Sequence, residues 1–243
     1  MSAHADAPIH DAASVVLVRR DRSGPRVLMG RRGAAAAFMP SKMVFPGGRV
    51  DTADAAAAAA FPPPGPLSRA LGRACREREP EGAAHDDPGL GAALALAAVR
   101  ELWEETGLAL AAPLAAPGRV AAPGALPPPW DRFAAERGAP DASRFAMIFR
   151  AITPPGRTRR FDARFVMVDA AGLAAPDDFS GADGELSGLA WLALDDAAAE
   201  DLPFVTQMVL GEVAVRLAEP QDAARPVPFF HHDGGRSYLD GLA

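Results

Sequence analysis

Lysine, cysteine, tyrosine and asparagine are nearly missing from this chain of 243 residues: Lys42, Cys75 and Tyr238 stand alone, and asparagine does not occur. A single cysteine excludes an intramolecular disulfide and a cysteine-built zinc site, and it suits a reducing compartment. Cys75 is expected to be inert. No apolar run approaches the roughly 18 residues that span a bilayer. An excess of positive charge is missing as well, with 25 basic against 31 acidic residues and a net charge of −6. Broad binding to nucleic acid or to anionic membranes draws its affinity from basic patches, so neither partner is expected. Residues 1–14 carry Asp6 and Asp11, no arginine or lysine and no apolar stretch. The expectation is therefore neither a secretory nor a transit leader, and a cytoplasmic location.

What is abundant is alanine, at 55 residues, and arginine, at 24. Alanine, arginine, glycine and proline share GC-rich codons, whereas lysine and asparagine do not, so the bias reads as genomic and alanine runs carry little functional information. With 49% hydrophobic and 23% charged residues the balance is that of an ordinary globular domain.

Residues 14–18 and 26–29 are short aliphatic runs around the turn cluster Asp21-Arg22-Ser23-Gly24-Pro25, which predicts a hairpin. Met43-Val44-Phe45 reads as a brief strand stopped by Pro46-Gly47-Gly48. From residue 55 to 91 the chain turns to alanine, proline, glycine and charge, with a proline cluster at residues 62–66 and a candidate helix over 68–79. A clean helix start follows, with Asp87 as N-cap and Pro88 at the first helical position; Gly107 supplies the stop. Strands are predicted over 144–152, 161–169 and 188–194, and helices over 195–201 and 203–217. The class is mixed α/β. Residues 1–13 read as a flexible N-terminus, 14–218 as one domain, and 219–243 as an irregular tail.

The best-defined helix carries Arg100-Glu101-Leu102-Trp103-Glu104-Glu105-Thr106-Gly107-Leu108. At about 100° per residue, Glu104 and Glu105 fall within roughly 60° of Glu101, so three carboxylates share a face. Two readings are open for such a cluster: a solvated acidic surface, or an oxygen-rich site for a hard cation such as Mg²⁺ or Mn²⁺. Trp103 lies about 200° from Glu101 and is expected to face the core; Trp130 and Trp191 are likewise expected to pack rather than stack on a ligand. His231-His232, in a proline-rich tail, are expected to be exposed rather than metal ligands.

This segment resembles the Nudix box, the pattern G-x5-E-x7-R-E-U-x-E-E-x-G-U with U an aliphatic residue. Its second half matches from Arg100 to Leu108. In the first half, counting six on from Gly48 reaches Asp54 instead of glutamate, and 45 residues separate Asp54 from Arg100 where the pattern has seven. The insertion, at 55–91, is expected in a loop, where length costs closure entropy only slowly. The run from Phe38 through Phe45-Pro46-Gly47-Gly48-Arg49-Val50-Asp51 to Asp54, followed by an insertion and Arg100-Glu101, is similar to the peroxisomal coenzyme A diphosphatase branch of the superfamily, which also splits its box.

The resemblance implies an α/β/α sandwich with a central mixed sheet and the box helix on one face. It implies a hydrolase of diphosphate linkages in nucleoside diphosphate derivatives. The favoured substrate is coenzyme A or acyl-CoA, giving 4′-phosphopantetheine or its acyl form and adenosine 3′,5′-bisphosphate. ADP-ribose or a nucleotide sugar is the alternative, as is a catalytically silent nucleotide sensor. By the same resemblance Glu101, Glu104 and Glu105, with the Gly47 carbonyl, are the implied ligands of Mg²⁺ or Mn²⁺. Glu101 is also the candidate for orienting the water, and Arg100 for orienting the carboxylates by pairing with Asp54. Glu185 is the candidate base outside the box. Arg31, Arg32, Arg49 and Gly48 are the candidate substrate contacts, with Arg157, Arg159 and Arg160 a second basic group suited to a ribose phosphate. The insertion is a candidate lid or homodimer contact.

Overall fold

The computed structural model describes residues 7–74, 85–112, 124–219, 225–233 and 235–242. Cys75 and most of the proline-rich stretch over 113–129 lie outside the described residues. In chain order the elements are β1 (Ile9–Asp21), β2 (Gly24–Arg32), β3 (Met43–Val44), β4 (Gly47–Arg49), α1 (Thr52–Ala60), α2 (Gly65–Leu71) and α3 (Pro88–Thr106). They continue with β5 (Ala111–Ala112), α4 (Trp130–Arg137), β6 (Ala139–Pro140), β7 (Ala146–Ile152), β8 (Arg160–Asp169), β9 (Leu186–Ala193), α5 (Leu194–Ala198), α6 (Phe204–Ala218), β10 (Val227–Asp233) and β11 (Arg236–Leu242).

Nine strands form a mixed sheet in the order β11-β10-β7-β8-β1-β2-β3, with β4 paired to β1 and β9 to β2. The β1–β8 pair is parallel, whereas β1–β2 and β7–β8 are antiparallel. Strand alternation divides the core in two. Val15, Leu17 and Leu28 pack against α3 residues Leu94, Ala98, Val99 and Leu102. Their neighbours Val16, Val18, Val27 and Met29 join the Val209, Leu210 and Val213 face of α6. The result is a three-layer α/β/α sandwich with the box helix on one side of the sheet.

Helix α3 begins where the Asp87 carboxylate accepts from the Leu90 amide at 2.9 Å, and it ends at Gly107, a left-handed residue with φ of 77°. The insertion is not an open loop. Its residues 55–60 continue α1 and 65–71 form α2, and both helices pack on α3. Asp51 caps α1, with Asp54 returning to the Asp51 amide in a reciprocal capping box. Helix α2 crosses α3 so closely that a Cβ on Gly91 would lie 1.8 Å from the Ser68 carbonyl oxygen. The helix read over 68–79 therefore starts earlier, at Gly65, and stops at Leu71, because Gly72 ends it.

Both ends of the chain are more regular than their composition suggests. Residues 9–13, assigned to a flexible N-terminus, belong to β1 and pair with Arg160–Arg164 of β8. The tail read as irregular forms the β10–β11 hairpin, and Phe229 and Phe230 join it to β7. Its prolines are tolerated because β10 pairs with β7 at only those two positions. His231 and His232 accordingly sit half-buried in a strand; His231 stacks on Tyr238 and meets Asp240 at 2.6 Å.

Candidate active site

Two short elements converge on the C-terminal half of α3. From β4, the Gly47 amide donates to Glu105 Oε2 at 2.7 Å. A Cβ on Gly48 would lie 2.3 Å from Glu101 Oε1, so any other residue here would push this carboxylate aside. From the start of α1, Asp54 arrives fully buried.

Arg100 organises the group. Its Nε donates to Asp54 Oδ1 at 2.8 Å and its Nη2 to Asp54 Oδ2 at 3.0 Å and to the Arg49 carbonyl at 3.0 Å. Its Nη1 donates to Glu101 at 2.8 Å and to Glu104 at 2.9 Å. All five guanidinium donors are thus used, an arrangement that lysine cannot copy. Asp54 receives two more bonds, from the Asp51 amide at 2.8 Å and from Trp130 Nε1 at 3.0 Å. Trp130 was expected only to pack. Its indole N–H also fixes Asp54, a contact that no local spacing could announce across 76 residues.

The electrostatics of the cluster are one-sided. Burial pushes the Glu105 carboxyl up to about 9, Glu101 adds to the rise, and the Gly47 amide opposes it. Burial likewise raises Glu101 to about 7, against the pull of Arg100. For Arg100, burial works to lower the pKa, but the bonds to Asp54 and the charge of Glu101 outweigh it and hold the guanidinium firmly charged. One guanidinium therefore serves three carboxylates, and Glu105 is held by the Gly47 amide instead.

Among the described residues no three carboxylate, imidazole or thiolate groups are gathered into a ready-made ion cage. Glu101 and Glu104 are instead drawn to Arg100. The donor set still fits a hard divalent cation. In the bonds above, Glu101, Glu104 and Glu105 each use one oxygen, leaving the other out of them. The raised pKa values of Glu101 and Glu105 mark carboxylates short of positive charge.

Glu101 opens onto a cleft of about 760 Å³, which is also lined by Gly47, Gly48, Arg32, Arg49 and Glu185. Arg32 pairs with Glu185 at 2.8 Å. Arg31 does not line the cleft: it bonds Glu200 at 2.8 Å and the Ser41 carbonyl at 3.0 Å. Adjacent strand residues point to opposite faces, so Arg31 and Arg32 could not both serve it. Of the second basic group Arg159 reaches the cleft, whereas Arg160 is buried and donates to the Thr153 carbonyl. Trp103 is buried against Phe133, and Trp191 donates to the Pro176 carbonyl.

No protein-family model matches the chain. Over 97 residues, 40% of its length, it is 36% identical to nudix hydrolase 7 of Caenorhabditis elegans, and the match spans 21% of that protein. A crystal structure of a Nudix hydrolase from Alicyclobacillus acidocaldarius superposes with a TM-score of 0.59 at 26% identity, covering 87% of this chain and 96% of that one. The chain has the Nudix fold, and its sequence and structural relatives support the Nudix hydrolase superfamily.

Proposed function

We propose that this protein is a divalent-cation-dependent hydrolase of a diphosphate linkage in a nucleoside diphosphate derivative. Its proposed substrate is coenzyme A or acyl-CoA, which would be cleaved to 4′-phosphopantetheine or its acyl form and adenosine 3′,5′-bisphosphate. The observation that carries the reading is the Arg100 cluster, which places Glu101 and Glu104 on one guanidinium beside Glu105 and the Gly47-Gly48 turn. Support for the coenzyme A class comes from a box split between Asp54 and Arg100 and from a cleft of about 760 Å³, far roomier than a diphosphate alone needs.

Glu101, Glu104 and Glu105 would hold the cation, Mg²⁺ or Mn²⁺. When bound, it would neutralise phosphate charge and acidify a water for attack on phosphorus. Arg100 fixes the direction of two of these carboxylates, and Asp54 fixes Arg100. Gly48 keeps the approach to Glu101 clear of side-chain atoms. Arg49 and Arg32, which line the cleft, would supply positive charge to the phosphates, and Glu185, paired with Arg32, is the proposed acceptor of the proton of the attacking water.

A hydrolysis panel with Mg²⁺ and with Mn²⁺ tests the proposal, comparing coenzyme A, an acyl-CoA, ADP-ribose, NADH and diadenosine polyphosphates. Coenzyme A or its acyl ester is expected to give the highest kcat/KM, with adenosine 3′,5′-bisphosphate as a product. A higher value for ADP-ribose overturns the substrate class, and no turnover of any compound overturns the hydrolase reading.

A further inference from the structure

The floor of the cleft has a pattern of its own. Ala12 of β1 pairs with Ala163 of β8, and Ala163 with Ala151 of β7. The row continues to Phe230 of β10 on one side and to Arg49 of β4 on the other, and all five residues line the cleft. Three methyl groups in register across three strands make a flat, shallow floor. Two residues away along the strands on either side stand bulkier rows, His10 with Phe161 and Ser14 with Phe165. Phe161 and Phe165 are four positions apart on β8, about 13 Å at the usual rise of a strand. Phe38 meets Phe161 edge to face, with ring centroids 5.0 Å apart.

Five of the twelve phenylalanines of the chain, Phe38, Phe45, Phe161, Phe165 and Phe230, line this cleft. Phe45 and Phe165 are buried beneath α6 with Val209, Leu210 and Val213, and Phe230 packs beside them, so Phe38 and Phe161 are the half-buried rings of the cleft that this core does not claim. Of the three arginines in the lining, Arg32 is paired with Glu185, whereas among the described residues the Arg49 and Arg159 side chains donate no hydrogen bond and enter no ion pair. Arg159 lies beyond the aromatic row, next to Arg160, which pairs with Ile9.

We infer that the alanine-floored trough is the subsite for the nucleoside of the substrate, the base lying over Ala12, Ala163 and Ala151 against the Phe161 ring. Arg159 receives a phosphate carried on that nucleoside outside the diphosphate. The inference rests on the proposed hydrolase reading for its orientation, with the diphosphate at the Gly48 and Glu101 end. The chemistry is general: aromatic rings and a smooth apolar floor accept any base face, and a guanidinium without a partner binds a phosphate monoester through two N–H donors.

The test is binding of AMP and of adenosine 3′,5′-bisphosphate to the full chain, by calorimetry in EDTA, so that hydrolysis plays no part. Ala163→Val puts two methyls into the trough at a position where a strand favours β-branching. It is expected to weaken both nucleotides about tenfold or more, the order expected for a lost stacking contact. Arg159→Ala is expected to weaken adenosine 3′,5′-bisphosphate about tenfold, the order of a charge-assisted hydrogen bond, and to leave AMP unchanged. Phe161→Leu serves as a second probe of the trough should the Ala163 variant fail to fold, with the same loss expected. Unchanged nucleotide binding in Ala163→Val or Phe161→Leu overturns the subsite, as does competition by pantetheine for the same trough. Equal losses for the two nucleotides in Arg159→Ala overturn the phosphate contact. A wild-type protein that binds both nucleotides but hydrolyses nothing leaves the subsite standing and removes the hydrolase reading; turnover with unaltered binding in the variants does the reverse.

Discussion

Two buried arginine clusters hold the inserted segment, and they are built on opposite electrostatic plans. In the sheet, Arg150 makes a paired contact with Asp162 at 2.9 and 2.7 Å, and Arg164 meets Asp11 at 2.6 Å and Asp162 at 3.2 Å. Both arginines also reach the end of α2, at the Arg73 and Leu71 carbonyls. Among the described residues two cations here face two carboxylates. Burial lowers the pKa of Arg164, and Asp162 works against that fall. On α3, by contrast, Arg100 bonds three carboxylates, Asp54, Glu101 and Glu104, while Glu105 beside them has the Gly47 amide and the more distant charge of Arg32. A balanced cluster is complete as it stands. In the unbalanced one burial pushes Glu101 and Glu105 toward the protonated state, which is the condition of a site finished by a cation from outside.

The sharpest way to break this comparison is to remove charge from each cluster in turn. Glu105→Gln or Glu104→Gln is expected to lower cation-dependent hydrolysis more than about 100-fold, beyond the usual loss for a supporting group. For Glu105→Gln the metal-free melting temperature should hold or rise, since an uncompensated buried acid is gone. The pH dependence follows. With Glu105 raised from 4.5 to about 9 and Glu101 to about 7, the folded protein binds more protons than the unfolded chain across that interval. Stability in EDTA therefore falls as pH rises from about 5 to about 9, and Glu105→Gln should flatten the fall. Thermal melts over that range read the effect, and a stability that rises with pH would contradict the assignment.

In the balanced cluster the expectation inverts. Arg150→Met leaves Asp162 short of its main partner in a fully buried position and should cost about 3–5 kcal/mol of stability. Activity per folded molecule should stay within about twofold, because no reacting group is touched. Replacing Arg150 and Asp162 together by Met and Leu should recover much of the loss. Denaturant unfolding and kcat on the same preparations separate the two clusters.

Much of this was legible in the chain because it is local. The Asp87 cap, the Gly107 stop and the helical spacing of Glu101, Glu104 and Glu105 depend on neighbours within a few residues. The hairpin of β1 and β2 and the mixed α/β class follow from alternation and element order in the same way, whereas the sandwich came with the resemblance of the box. What the sequence hid depends on distant partners. Composition disguised the insertion, because alanines that read as filler bury Ala57 and Ala58 against α3 as well as any larger residue could. The tail looked irregular because its prolines were visible while its pairing to β7 was not. Arg31 and Arg32 looked equivalent until strand alternation sent one to Glu200 and the other to Glu185. Trp130 gave no sign at all.

Asp54 links the two halves of the box, and its substitution probes how much of the site Arg100 carries. Asp54→Ala removes two of the five bonds of Arg100 and also opens the capping box of α1. A drop of about 10–100-fold in kcat is expected, the range for a group that orients ligands, with KM changed much less. Asp54→Glu keeps the charge and keeps a residue that favours the third position of a capping box, so it should recover most of the rate. Recovery by glutamate but not by alanine distinguishes orientation of Arg100 from simple loss of helix α1, which circular dichroism reads independently.

The smallest effect belongs to Trp130, and it decides whether the indole is packing alone. Trp130→Phe keeps an aromatic ring against Phe133, 5.4 Å away between centroids, and removes only the N–H donated to Asp54 at 3.0 Å. The loss of one buried hydrogen bond to a charged acceptor should cost about 1.5–3 kcal/mol of stability if Asp54 stays ionised and unrelieved. If Asp54 relaxes toward Arg100 instead, the cost shrinks and kcat falls a few-fold as the guanidinium shifts under Glu101 and Glu104. Packing alone predicts neither change. Combining Trp130→Phe with Asp54→Ala in a double-mutant cycle measures the link directly, because the effect of the tryptophan on kcat must vanish once its acceptor is gone.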